Sequence, residues 1–167
     1  NVVSGQQTLT LSEITQGDAA YTCTITFTDS AGNAANALTL TAFTLDTTAN
    51  TPSETTAIST PTNDETPSVV ITTDEAGTIV VGGTTGCGVD SANVVSGQQT
   101  ITLSTITQAD GAYTCTITFT DDAGNEASAL SLTAFTLDTT VATPSETTAV
   151  STPTNDESPD VVITTTE

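Results

Sequence analysis

The sequence predicts an all-β fold, built from β-sandwich units arranged end to end, on three observations. Thr contributes 43 of the 167 residues and 35% of the chain is apolar, a Thr- and Val-rich composition that favours strands. Apolar residues fall in short alternating runs, of which AYTCTITFTD at 112–121 is the clearest. The chain also repeats itself: residues 1–75 laid over 93–167 agree at 61 positions and differ at 14, at a constant offset of 92. A period of that length is too long for a solenoid unit and suits one small β-sandwich domain.

The offset divides the chain into residues 1–46, the C-terminal part of a unit; 47–138, a complete unit; and 139–167, the N-terminal part of the next. Within the complete unit, DTTANTPSETTAISTPTNDETP (46–67) reads as a connection with a short edge strand near Glu54 to Ser59. SVVITTD (68–74) and TIVVGG (78–83) are strands joined by the turn Glu75-Ala76-Gly77, which predicts a hairpin. TTGCGVDSANVVSGQ (84–98) reads as loop with one short strand at Asn93 to Val95, and QTITLSTI (99–106) as strand. In 112–121, Tyr113, Cys115, Ile117 and Phe119 alternate with Thr114, Thr116, Thr118 and Thr120, so one face is core and the other wet. DDAGNEA (121–127) turns the chain and SALSLTAFTLD (128–138) closes the sheet. The parity of that last strand slips between Leu132 and Phe135, which predicts a bulge or a doubly buried stretch. No segment carries a helical period with caps. Seven or so strands with turns every 8–12 residues make each unit an immunoglobulin-like sandwich.

Twenty acidic residues against no Lys, Arg or His give a net charge of −20. Nucleic acid is excluded as a partner, because phosphate binding relies on basic side chains, and an anionic membrane surface repels the chain for the same reason. No apolar run approaches the roughly 18 residues of a membrane span, and no cleavable signal is visible. The apolar residues are grouped in strands rather than diluted evenly, which points to a folded chain and not a disordered one. A domain of this size buries only about 60–65% of its unfolded surface, so a covalent or ionic staple adds to a modest core.

FTLDTT, PTNDETP, DEAGT and ITQADGAYTCTITFTDDAGN with the strand that follows resemble the tandem bacterial immunoglobulin-like (Big) repeats of giant secreted adhesins and biofilm surface proteins, including those exported with RTX-type signals. The resemblance covers the whole chain. It implies a stalk or extender module at the cell surface, stiffened by calcium at domain junctions. The cysteines and the complete loss of Lys and Arg depart from that pattern.

Tyr113 stands two residues before Cys115, the position of a tyrosine corner; the alternative is a core Tyr with its hydroxyl in water. Cys115 points inward on a core strand and Cys87 lies 28 residues earlier in a loop, a pairing that suits an intradomain disulfide worth roughly 3–4 kcal/mol and an oxidising, extracellular setting. Two buried free thiols are the alternative, and zinc is disfavoured by the lack of His and of CxxC. Cys23 repeats Cys115, so its partner is expected outside the fragment or in a neighbouring chain. The copy of residues 76–92, 17 in all, is absent from the C-terminal end, and restoring it would give 184 residues, two periods of 92. Each broken unit is therefore expected to be completed by a neighbouring copy, head to tail, or by the continuing chain.

Comparing the copies sorts the acids. Glu13, Asp74 and others change between them, which reads as solvation, whereas Asp18, Asp29, Asp46, Glu54, Asp64 and Glu65 recur as Asp110, Asp121, Asp138, Glu146, Asp156 and Glu157. Asp46 or Asp138 ends the last strand, Asp64 or Asp156 lies in the connection, and the DxAGN turn offers Asp29 with Asn33 or Asp121 with Asn125. In stacked sandwiches these groups could pool oxygens around calcium, which takes 6–8 of them. The alternative is an Asx-type turn capping backbone amides, with the other acids keeping the chain soluble. No EF-hand spacing exists, and GCGVD is too short for an RTX nonapeptide.

An enzyme is disfavoured: without His, Lys or Arg the common bases, Schiff-base formers and oxyanion clamps are lacking, and crosslinks between Lys and Asn cannot form. The Thr at 114, 116, 118 and 120 also make a flat hydroxyl strip that would suit a glycan or ice surface, although Thr is the ordinary polar residue on the wet face of a strand. The Thr-rich connections could carry O-glycans, while no N-x-[ST] sequon is present. The function expected is a passive length of extracellular stalk or filament.

Overall fold

A computed structural model describes residues 4–166, the side chains of Asp90 and Ser91 apart. The described residues form strands and no helix. The first segment supplies β1 (Ala19–Tyr21), β2 (Thr24–Ile25), β3 (Leu38–Thr39) and β4 (Phe43–Leu45). The central stretch supplies β5 (Ser53–Thr56), β6 (Ser68–Thr73), β7 (Gly77–Gly83), β8 (Val89–Val94), β9 (Gly97–Thr102), β10 (Gly111–Tyr113), β11 (Cys115–Asp121), β12 (Leu130–Ser131) and β13 (Phe135–Leu137). The last segment supplies β14 (Ser145–Thr148) and β15 (Val162–Thr164), which pair with each other.

The central stretch is a β-sandwich. One sheet runs β5-β6-β9 and the other β12-β11-β7-β8, with β10 and β13 paired beyond β11 and β12. Alternation in the sequence becomes two inner faces: Val69, Ile71 and Ile101 from the first sheet meet Ile79, Val81, Ile117 and Phe119 from the second, none more than 7% exposed. Tyr113 and Phe135 stack at 5.6 Å between centroids. The Tyr113 hydroxyl donates to the Ala109 carbonyl at 2.8 Å, so the tyrosine corner, not a water-facing hydroxyl, is what forms.

The hairpin expected at 68–83 does not form. β6 pairs with β5 and β9, whereas β7 pairs with β11 and β8, so Asp74 to Ala76 arch from one sheet to the other. A period of two says which side chains face inward and nothing about which strand lies beside which. The loop expected at 84–98 also holds a longer strand, since β8 begins at Val89 rather than Asn93.

The parity slip is a bulge. Thr116 opposes Ser131 and Tyr113 opposes Phe135, so Thr114 and Cys115 face three residues, Leu132 to Ala134. The extra residue lets Leu132 and Phe135, three apart, both turn inward, at 5% and 2% exposure. β1 to β4 repeat this register, with Thr24 opposite Thr39 and Tyr21 opposite Phe43. The first segment is more open than the central sandwich: Leu9, Leu11 and Phe27 are about half exposed, and Leu38 of β3 is exposed as well.

Candidate functional site

Cys87 and Cys115 are joined by a disulfide, with Cα atoms 5.6 Å apart. Cys115 sits in the core opposite Gly83, the end of β7, and the loop that follows β7 carries Cys87 back over it. Cys23, half-buried, has no disulfide partner among the described residues.

Three carboxylates meet where the stretch after β4 reaches the central sandwich. Asp46 leaves β4, Glu75 lies in the arch between β6 and β7, and Asp121 ends β11; one oxygen of each lies within 4.8 Å of the others. Asn125, in the turn after β11, organises them. Its backbone N–H donates to Asp121 Oδ1 at 2.8 Å, and its side-chain amide donates to Asp121 Oδ2 at 2.8 Å and to the Asp46 carbonyl at 3.1 Å. The Asn50 N–H approaches Glu75 Oε1 at 3.4 Å. An open cleft of about 430 Å³ adjoins this group and is walled by Asp18, Asp46, Asp74 and Glu75 among others.

Asp121 is only 6% exposed. Burial raises its pKa, but the Asn125 side chain and the amides of Asn125, Gly124 and Ala123 outweigh burial and hold it below 3.8. It therefore stays charged beside two other acids, and the sequence holds no basic side chain to balance them. All the donors are oxygens, the chemistry of a hard cation. Two oxygens each about 2.4 Å from one calcium lie at most about 4.8 Å apart, so the spacing fits that ion, with water completing a shell of 6–8.

Of the residues expected from sequence, Asp46, Asp121 and Asn125 come together. Asp29 and Asn33 build the same turn, with the Asn33 side chain on Asp29 Oδ2 at 2.9 Å and its N–H on Oδ1 at 2.8 Å, but among the described residues Asp29 joins no group of three acids. Asp64 and Asp156 lie apart from the cluster and cap their own turns, accepting from the N–H of Thr66 at 2.8 Å and of Ser158 at 2.9 Å. Asp138, the copy of Asp46, accepts the Thr140 N–H at 3.3 Å; Glu167, the copy of Glu75, lies outside the described residues.

Two functions escaped the sequence. Glu75 lies in what the sequence presents only as a turn, although its recurrence as Glu167 is a usable signal. Asp110 clamps the outgoing chain: its Oδ1 accepts the Thr139 N–H at 3.0 Å and hydroxyl at 2.8 Å, and its Oδ2 the Thr140 hydroxyl at 2.9 Å. Asp18 does the same to Thr47 and Thr48. The Thr139 and Thr47 hydroxyls, then their amides, hold Asp110 and Asp18 below the ordinary carboxylate value of 3.8.

The all-β sandwich agrees with the comparison to known families, in which the model of the bacterial Ig-like domain matches residues 48–139. The chain belongs to the bacterial Ig-like domain family. No curated protein matches it significantly in sequence. Bacterial Ig-like domains are typically non-catalytic structural modules of surface or extracellular proteins, and the disulfide suits that setting.

Proposed function

We propose that this bacterial Ig-like chain is a length of extracellular stalk, its sandwich units set head to tail, as in an adhesin or a biofilm filament. The observation that carries the proposal is the meeting of Asp46 with Glu75 and Asp121. Asp46, just past β4, brings its carboxylate to those of Glu75 in the arch and Asp121 at the end of β11. Uncompensated, the three charges repel and the joint loosens; calcium bound there would supply the missing positive charge and hold both units to one ion. Asp46, Glu75 and Asp121 would be its protein ligands, with Asn125 fixing Asp121 and the Asp46 backbone in place.

The Thr-rich face of the β5-β6-β9 sheet suits a structural role, because part of its hydroxyl capacity is used internally. Thr55 bonds Thr72 and Ser68 bonds Thr102, each at 2.9 Å.

Calorimetric titration of the full chain with calcium chloride tests the joint, with small-angle scattering before and after. Saturable uptake, lost in Asp46→Asn with Glu75→Gln, together with a longer and less variable particle, is expected. No heat and no change in dimensions would remove calcium from the proposal.

A further inference from the structure

A stalk carries tension, and the route by which tension would cross the central sandwich is laid out in its hydrogen bonds. The incoming segment, residues 53–62, and the outgoing segment, 133–138, run side by side. Glu54 Oε2 accepts the Thr133 N–H at 2.9 Å and hydroxyl at 2.8 Å. Further on, Thr60 Oγ1 accepts the Thr136 N–H at 3.0 Å. Thr62 donates its N–H to the Thr136 carbonyl and accepts the Asp138 N–H on its own carbonyl, both at 2.9 Å, forming a parallel bridge with Leu137. Both segments advance in the same sense; the first begins with β5 and the second contains β13, the first and last strands of the unit.

Parallel neighbours whose far ends are drawn apart must slide past each other. The five bonds then share the load and fail together, whereas an antiparallel hairpin pulled from its open end would release them one at a time. Ile58 and Leu137, buried at 5% and 1% exposure, anchor the two segments to the core beneath. Behind these bonds lies a second stop. The Cys87–Cys115 disulfide closes 28 residues of chain that do not lie between either loaded end and its nearer cysteine.

We infer that the unit is a force-bearing module: Glu54, Thr60 and Thr62 form a shear clamp against Thr133, Thr136 and Asp138, and the disulfide limits how far the unit lengthens once the clamp yields. The clamp rests on the stalk function proposed above and adds to it the direction of load and the residues that resist it. The disulfide withholds about 28 extended residues at about 3.3–3.6 Å each, roughly 90–100 Å per unit.

Single-molecule force spectroscopy tests this on the full 167-residue chain held by handles at its two termini. The main rupture is expected to lengthen by roughly 90–100 Å when the chain is reduced first. Glu54→Ala with Thr60→Ala should raise the unfolding rate at a fixed force at least tenfold, and the milder Thr133→Val should move it the same way. Val94→Ala, a core change away from the clamp, should lower the thermal midpoint with a smaller effect on that rate. A rate blind to the clamp substitutions, or moved no more by them than by Val94→Ala, overturns the clamp; equal lengthening with and without reductant overturns the stop. Calcium uptake with stiffening in a chain whose rupture ignores these substitutions would leave the stalk standing and remove the clamp alone.

Discussion

Asn125 reaches back 79 residues to donate its side-chain amide to the backbone carbonyl of Asp46 across 3.1 Å. The second hydrogen of the same amide lies on Asp121 Oδ2 at 2.8 Å, so both donors of one neutral group are used, one within its own turn and one across the joint. A charged donor at this place would neutralise the acids around it. An amide positions them and leaves their charge for another partner.

Asn125→Ala should therefore loosen the joint before it harms the sandwich. The bond to Asp46 is worth about 0.5–1.5 kcal/mol, so exchange of the amides at Thr47 to Asn50 should quicken roughly two- to tenfold. Hydrogen exchange read by mass spectrometry checks this; protection unchanged at 47–50 would mean that the contact carries no load in solution.

Much of this architecture was legible because inward-facing residues in a two-sheet core obey a period of two. Tyr113, Cys115, Ile117 and Phe119 could be placed inward from their spacing, and the break in that spacing after Leu132 located the bulge. Sheet membership was not legible: Asp74-Glu75-Ala76 serves equally as hairpin turn or as arch, and only the competition for partners across the whole sandwich puts β6 and β7 in different sheets. The acids divide the same way. Asp46 and Asp121 stand at the ends of strands that the alternation marks, whereas Asp110 finds Thr139 29 residues away, a contact that depends on how the outgoing chain turns. Asp64 and Asp156 recur as faithfully as the others, but for short-range caps that sequence recurrence cannot tell from ligands.

Tyr113→Phe removes the corner hydroxyl and leaves the ring stacked on Phe135. The Ala109 carbonyl loses its donor, so the unit should be about 0.5–1.5 kcal/mol less stable, with its denaturant slope unchanged. Urea unfolding followed by tyrosine-independent circular dichroism measures it. A loss above about 3 kcal/mol would show that the ring had moved as well.

Gly77 and Gly82 lie in the same strand and should respond oppositely to Ala. A Cβ on Gly77 would come 2.2 Å from the Thr120 carbonyl oxygen and 2.7 Å from the Phe119 ring, and β11 cannot retreat without opening the core. Overpacking of this kind costs about 1–3 kcal/mol. On Gly82 the nearest atom is Thr116 Oγ1 at 3.7 Å, an ordinary contact, so Gly82→Ala should be neutral or stabilise by about 0.4–1 kcal/mol through the unfolded chain. Melting curves of the two variants decide it, and equal midpoints would contradict the close pairing of β7 with β11 at Gly77.

Acid should act on the outgoing linker through Asp110. The Thr139 hydroxyl and amide and the Thr140 hydroxyl bond its charged form, which lowers its pKa in the folded chain below the 3.8 of a free carboxyl. A group whose pKa falls on folding stabilises the fold above the unfolded value and loses that contribution as pH drops through the folded one. General protonation works the other way, because neutralising acids relieves the repulsion within a chain of net charge −20. The difference between the wild-type chain and Asp110→Asn separates the two, since all the other acids are common to both. At pH 7 the variant should melt lower, its neutral amide oxygen being the weaker acceptor. The gap should hold down to about pH 4 and close below it, as Asp110 itself takes up a proton. A gap that persists unchanged into strong acid would mean that Asp110 holds Thr139 and Thr140 by shape, with its charge making no contribution.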